Sequence, residues 1–475
     1  MKKQNTLQIT LILGLFSLMS SISGSSVNLA LPKISTALGV SNSASVWVLQ
    51  TGLITTAILL VLFGHLGDLI SKNFIFLYGG LIFIIGSTLS GLAPAFWLLL
   101  VGRVVQAVGS AMIMANSMGI VTDATNNQQR AEALATISMF TSVGSISGPA
   151  LGGFLMAVFS WRGIFLFNVP FGLIVLFVGF RDLPTPHETL HAIRQSAHGS
   201  NWTGQNLFTI GMIIFFLSSQ FFQGTMSNVL LGVLLLVVGG GITIAAFIQD
   251  DRSKQPWISP QVMHNPTYMV SIATLFLTMM VNVFSNVLLT FYLQNYSGLS
   301  PLVSGLIMGL QSVIMLCVSP LAGFLAGRID RNLLALTGLI FLTISQVGYV
   351  LYPANLDWER IIVPILINGF GMGFFLSPNN ALTMSVVSHE LSGVAGSFSS
   401  LARTLGMTTG ISLASSVLFI QLPGVHQITR TVGPAFLRAF SNVFLLATGL
   451  SALAAILVIY RMVKARQQRS VTTAK

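Results

Sequence analysis

Two arginines, Arg103 and Arg403, stand inside long apolar runs. A guanidinium keeps its proton at any working pH and offers five N–H donors. It can hold an anion or cap backbone carbonyls, but it cannot ferry a proton. Gln106, Ala107 and Ser110 follow Arg103 at i+3, i+4 and i+7, which puts them on one helix face. Gly406 and Gly410 share the side of Arg403 in the same way. A third polar stretch, "SISGSSVNLALPKI" (Ser21 to Ile34), closes the first apolar run and brings Ser23, Ser26 and Asn28. Such groups bind solutes by hydrogen bonds. Gln50, Asn116, Asn282, Asn286, Gln311, Asn368 and Asn379 are further amides in apolar surroundings. With the two arginines and Gln106 they are the candidate lining of a substrate cavity.

Bond-making chemistry has no constellation here. No cluster of His, Asp and Glu has metal-ligand spacing, and no nucleophile stands beside a base. An enzyme, a metal site and a cofactor are therefore not expected. "GFGMGF" (Gly369 to Phe374) has the glycines of a nucleotide loop, but it lies in an apolar run and follows no strand. The eleven acids are Asp68, Asp123, Glu132, Asp182, Glu188, Asp250, Asp251, Asp330, Asp357, Glu359 and Glu390. All fall in loops or at the edges of apolar runs. None of the seven histidines is central to a run; His65 comes nearest.

The apolar runs decide the class. Hydrophobic residues make up 53% of the 475 and charged residues 7%; the mean hydropathy is +0.83. A soluble surface needs far more charge. Runs of membrane-spanning length, about 20 residues, recur at 7–28, 44–63, 74–92, 96–121, 133–157, 163–180, 205–222, 229–248, 267–291, 302–326, 333–352, 361–384, 394–419 and 435–460. Fourteen spans put both termini on one side. Of the 22 Lys and Arg, fifteen then fall on that side, five on the other, and Arg103 and Arg403 within spans. That bias marks the terminal side as cytoplasmic. It also excludes nucleic acid, because the basic residues are scattered over many loops rather than gathered in one domain.

Lys2, Lys3, an apolar run and small serines also fit a signal peptide. "NLALP" continues a pattern that needs its helix, so the segment reads as a retained first span. Cys317 is the single cysteine, so no internal disulfide can form.

Two halves echo one another. "GHLGDLISK" (Gly64 to Lys72) ends the second run and "GFLAGRIDR" (Gly323 to Arg331) the tenth, a sign of duplicated bundles. The expected organisation is a six-helix bundle over 1–182, a loop with two inserted helices over 183–266, and a second six-helix bundle with a basic tail over 267–475. Gly144, Gly148 and Gly152 recur every fourth residue, line one helix face and admit a close neighbouring backbone. Pro149, beside them, bends that helix, and Gly153 extends the set. A bent, glycine-faced helix suits a hinge or seal.

Five stretches in order resemble the major facilitator superfamily, in its fourteen-helix drug:proton antiporter branch. They are "NLALP" (Asn28 to Pro32), "GHLGDLISK", "LLVGRVVQAVGSA" (Leu99 to Ala111), "GSISGPALGG" (Gly144 to Gly153) and "WRGIFLFNVPFG" (Trp161 to Gly172). The resemblance implies an all-α membrane protein of the major facilitator fold. It implies a secondary-active exporter of amphipathic or hydrophobic compounds, coupled to protons, monomeric and sited in the plasma membrane. It implies a cytoplasmic gate at Gly64, Asp68 and Lys72, with Arg130 and Glu132 nearby. Leu69 and Ser71 depart from that gate's usual Arg and Gly. Ser23 stands where such antiporters often carry an aspartate, so the usual proton carrier is missing. A lipid or fatty-acid exporter of the same fold and a non-transporting membrane sensor are the alternatives.

Overall fold

The computed structural model describes residues 6–124, 127–183, 201–218, 221, 226–253, 263–387, 392–425 and 427–473. Among these, regular structure is helical throughout. That is what a chain in hydrocarbon requires, because each backbone N–H and C=O must be paired within its own segment.

Each of the fourteen apolar runs coincides with a helix. They are α1 Thr6–Leu38, α2 Trp47–Leu69, α3 Lys72–Leu92, α4 Phe96–Ala124, α5 Asn127–Phe159, α6 Asn168–Asp182 and α7 Trp202–Leu217. After these come α8 Met226–Asp251, α9 Pro266–Thr290, α10 Pro301–Leu325, α11 Arg331–Val350, α12 Trp358–Ser385, α13 Ser392–Ile420 and α14 Pro434–Thr473. Among the described residues, 11 helices are long and apolar enough to cross a membrane. Shorter apolar stretches fall on α5 and α7. The remaining helix, α13, is interrupted by serines, threonines and Arg403. A single turn, Gly163–Leu166, precedes α6, and α9 runs on into a π-helical turn, Phe291–Tyr296.

Polar residues mark where helices begin. Ser71 accepts a hydrogen bond from the Phe74 amide at the start of α3. Asn265 accepts from the amides of Thr267 and Tyr268 ahead of α9, with Pro266 at its first position. Asp330 and Asp357 cap α11 and α12. Each satisfies amides that a helix start leaves open, so two of the acids serve the helix ends.

The chain divides into two compact units, Met1–Trp257 with Leu299–Leu306, and Ile258–Gly298 with Ile307–Lys475. The inserted helices α7 and α8 thus group with the first unit. They pack on each other where Gly211 meets Thr243 and Gly239 meets Phe215. Gln205 of α7 reaches the Ile58 carbonyl of α2 (3.3 Å). The outer face of α8 is bare, with Leu230 72% and Val237 63% exposed, as a lipid-facing helix should be.

Both units are built around a glycine-limited helix pair. In the first, α5 lies on α1. A side chain at Gly144 would strike the Leu18 carbonyl, one at Gly148 the Ser25 side chain, and one at Gly152 Ser26. In the second, α13 lies on α9, with Gly406 against the Phe276 carbonyl and Gly410 against that of Met280. Backbone proximity of this kind is how helices bind tightly where no hydrophobic effect separates lipid from protein.

Candidate functional site

In the first unit the polar residues converge on Arg103. It lies seven residues after Phe96, the start of α4, roughly 10 Å along the helix. There it is 7% exposed. A charge at such depth must be paired, since facing lipid costs at least ~2.5 kcal/mol. Its Nε donates to the Val48 carbonyl of α2 (2.9 Å), and its Nη1 donates to Gln106 Oε1. The guanidinium also lies 5.8 Å from the Phe165 ring centroid, within cation–π range. Gly52 leaves it room, because a side chain there would collide with it.

Gln106 passes the connection on. Its Nε2 donates to Ser87 Oγ of α3 (2.8 Å) and to Ser23 Oγ of α1 (3.2 Å). The hydroxyls of Ser20 and Ser110 share a 2.8 Å bond. The i+3 and i+7 stripe after Arg103 is thus spent in joining α1, α2, α3 and α4. Ser23 is 2% exposed, so it belongs to this network.

Two more residues expected in the cavity bond to neighbouring helices. Ser26 is fully buried and donates to the Gly148 carbonyl (2.7 Å), because it meets the close-packed glycine face of α5. Asn116 donates to the Phe63 carbonyl (3.0 Å) and lies against Gly67, tying α4 to α2. Gln50 is 3% exposed. Asn28 is half-buried, and its Oδ1 is buried without a hydrogen-bond partner. Gly153 borders Leu29 of α1.

At the cytoplasmic end of the expected topology, Lys72 pairs with Asp123 of α4 (2.9 Å). Gly119 makes way for the lysine stem, and Gly64 is near Ala115. The side chains of Asp68, Arg130 and Glu132 lie outside the described residues.

The second unit holds three polar groupings. Gln311 of α10 donates to Asn282 Oδ1 of α9 (2.8 Å), and Asn286 donates to the Asn282 carbonyl (2.9 Å). Asn368 of α12 donates to Ser345 of α11 (3.2 Å) and is fully buried. Asn379 of α12 donates to the Ser271 carbonyl (3.3 Å) and accepts from Arg461 (3.5 Å).

Arg461 was legible only as one of the basic residues beyond the last span. It is 4% exposed. Its Nε donates to Asn332 of α11 (2.7 Å) and its Nη1 to Ser271 of α9 (2.5 Å), so it joins four helices. The signal for it is periodic: Val443, Ala447, Ala454 and Val458 are all fully buried, and Arg461 continues their stripe.

Arg403 differs from both of the others. It is half-buried and makes no hydrogen bond or ion pair to any described residue. No group of three or more His, Cys, Asp or Glu that could hold a metal occurs among the described residues.

Residues 13–411 and 270–475 match the Major Facilitator Superfamily. The chain belongs to that superfamily. Among its relatives is the riboflavin transporter RibZ of Clostridioides difficile, 28% identical over 468 residues, 98% of this chain and 99% of that protein. The multidrug resistance protein Stp of Mycobacterium tuberculosis is 29% identical over 395 residues, 82% of this chain and 72% of its own. The multidrug transporter protein MdtP of Bacillus subtilis is 26% identical over 428 residues, 88% of this chain and 76% of its own. In fold, the chain is similar to a bacterial homologue of the human lysosomal transporter Spinster, at a TM-score of 0.66, 16% identity and 96% coverage of each chain. This superfamily member is thus an all-helical, multi-pass membrane protein and a secondary transporter.

Proposed function

We propose that the chain exports amphipathic or hydrophobic compounds by alternating access, from the plasma membrane, with both termini in the cytoplasm. The observation that carries this reading is the kind of polar group inside each unit. Amides, hydroxyls and arginines stand within the spans, while the described acids stand at helix ends. Such groups hold uncharged or anionic solutes by hydrogen bonds within an otherwise apolar wall, which Met and Phe make adaptable. The multidrug-named relatives and the motif "GSISGPALGG" support export and the drug:proton antiporter branch.

Proton coupling, which that branch implies, would have to run through Asp68, Asp123 or Glu132 at the cytoplasmic edge. Lys72 and its neighbours there are assigned the gate. Gly144, Gly148, Pro149, Gly152 and Gly153 are assigned the hinge. A second reading is transport of an uncharged heterocycle of the flavin kind, favoured by the full-length similarity to a riboflavin transporter. The Asn282–Gln311 amide pair suits the hydrogen-bonding edge of such a ring.

The test is uptake by proteoliposomes of purified protein, with an amphipathic dye and riboflavin as solutes and a pH gradient imposed, then collapsed. Export predicts dye movement above empty vesicles. Riboflavin movement alone selects the second reading. A rate that ignores the gradient removes proton coupling, and movement of neither solute leaves the sensor.

A further inference from the structure

We propose that Arg403 is the docking residue for an acidic head group, so that the transported solute carries a carboxylate. This rests on the transporter reading and adds a substrate class to it.

Arg403 lies eleven residues after Ser392, the start of α13, about 17 Å along the helix. A guanidinium at that depth needs a partner. The fold supplies partners to the other two interior arginines. Arg103 has a backbone carbonyl and an amide oxygen; Arg461 has an amide oxygen and a hydroxyl. Arg403 has none among the described residues.

The hydroxyls of the neighbouring turns do not bond to Arg403. Ser399, Ser400, Thr404 and Thr408 each donate to a carbonyl one turn back in α13. The described acids of this unit stand at helix starts. Asp330 and Asp357 cap helix starts, and Glu359 follows in the first turn of α12. Glu390 lies outside the described residues.

The helix that carries it is closely packed. Gly406 and Gly410, on the same side of α13, rest on the backbone of α9. A planar fork that is half-buried and has no counter-charge among the described residues matches a carboxylate, which it can grip through two parallel hydrogen bonds.

The test uses the purified full-length protein and two probes of one shape, 1-naphthylacetate and the uncharged 1-naphthylacetamide. Their dissociation constants are measured by equilibrium dialysis. The wild type is expected to bind the acid about tenfold more tightly, the difference one charge-assisted contact supplies. Arg403→Gln should bring the two constants within about twofold and leave the amide's affinity unchanged; Arg403→Lys should restore part of the preference. No preference in the wild type, or a preference that survives Arg403→Gln, overturns the proposal. So does failure of both variants to fold, since Arg403 is then a structural residue. If the acid is preferred but proteoliposomes move no solute, the transporter reading fails and the docking site stands. If solutes move without any preference for the acid, the docking site alone fails.

Discussion

Arg103 and Arg403 are the same residue inside a long helix, one in each unit, and their surroundings differ completely. Arg103 is closed in by Val48, Gln106 and Phe165, and through Gln106 it reaches two more helices. Arg403 is half-buried, and the Thr404 and Thr408 hydroxyls beside it donate back onto their own helix. Depth tells only that a charge must be answered. What answers it separates a residue that holds helices together from one that is free to meet a solute.

The contrast is broken most directly by removing each arginine. Arg103→Leu removes the hydrogen bonds to Val48 and Gln106 and leaves Gln106 Oε1 unpaired in a dry interior, at about 1–3 kcal/mol, while the Val48 carbonyl keeps its helical bond. The melting temperature of the purified protein, followed by tryptophan fluorescence, should fall by many degrees, whereas Arg403→Leu should shift it little. Equal losses would erase the distinction. Arg461→Leu comes next. It deprives Asn332 and Ser271 of a partner, and the same measurement should show a drop of about 1–3 kcal/mol, close to that of Arg103 rather than of Arg403.

Ser23→Asp sharpens the comparison from the other side. A carboxylate at Ser23 would join Gln106 and Arg103 in the buried network and be neutralised there. Uptake of a monocationic dye into inverted vesicles should therefore respond to a pH gradient as it does in the wild type. A stronger gradient response in a well-folded variant would show that the Arg103 network opens to the solute after all. The smallest effect is expected at the rim. Lys72→Ala removes an ion pair whose members are 26% and 61% exposed, at most ~1 kcal/mol and less in high salt.

The helices were legible because an apolar run of bilayer length has few other fates, and each of the fourteen runs became one. The link from Arg103 to Gln106 was legible too, since i+3 neighbours meet on a helix. The other partner of Arg103 was not: a backbone carbonyl such as that of Val48 carries no mark in the sequence. Ser26 and Asn116 read as cavity residues because a polar side chain in an apolar run looks the same whether it faces a solute or a neighbouring helix. Gly148 and Gly67 decide that, and they lie 122 and 49 positions away. Arg461 hid among tail charges because α14 runs on to Thr473, past the point where hydropathy fades. The reach of α7 to Ile58 depends on how separate helices pack, which periodicity does not encode.

Away from the helix ends, the described spans carry fixed charge of one sign, that of arginine. Fixed positive charge inside a low-dielectric bundle repels small cations. A carrier that sheds its counter-ions to the rims in this way should conduct little sodium. Its resting leak should be low, so that expressing it in quantity would not discharge the cell.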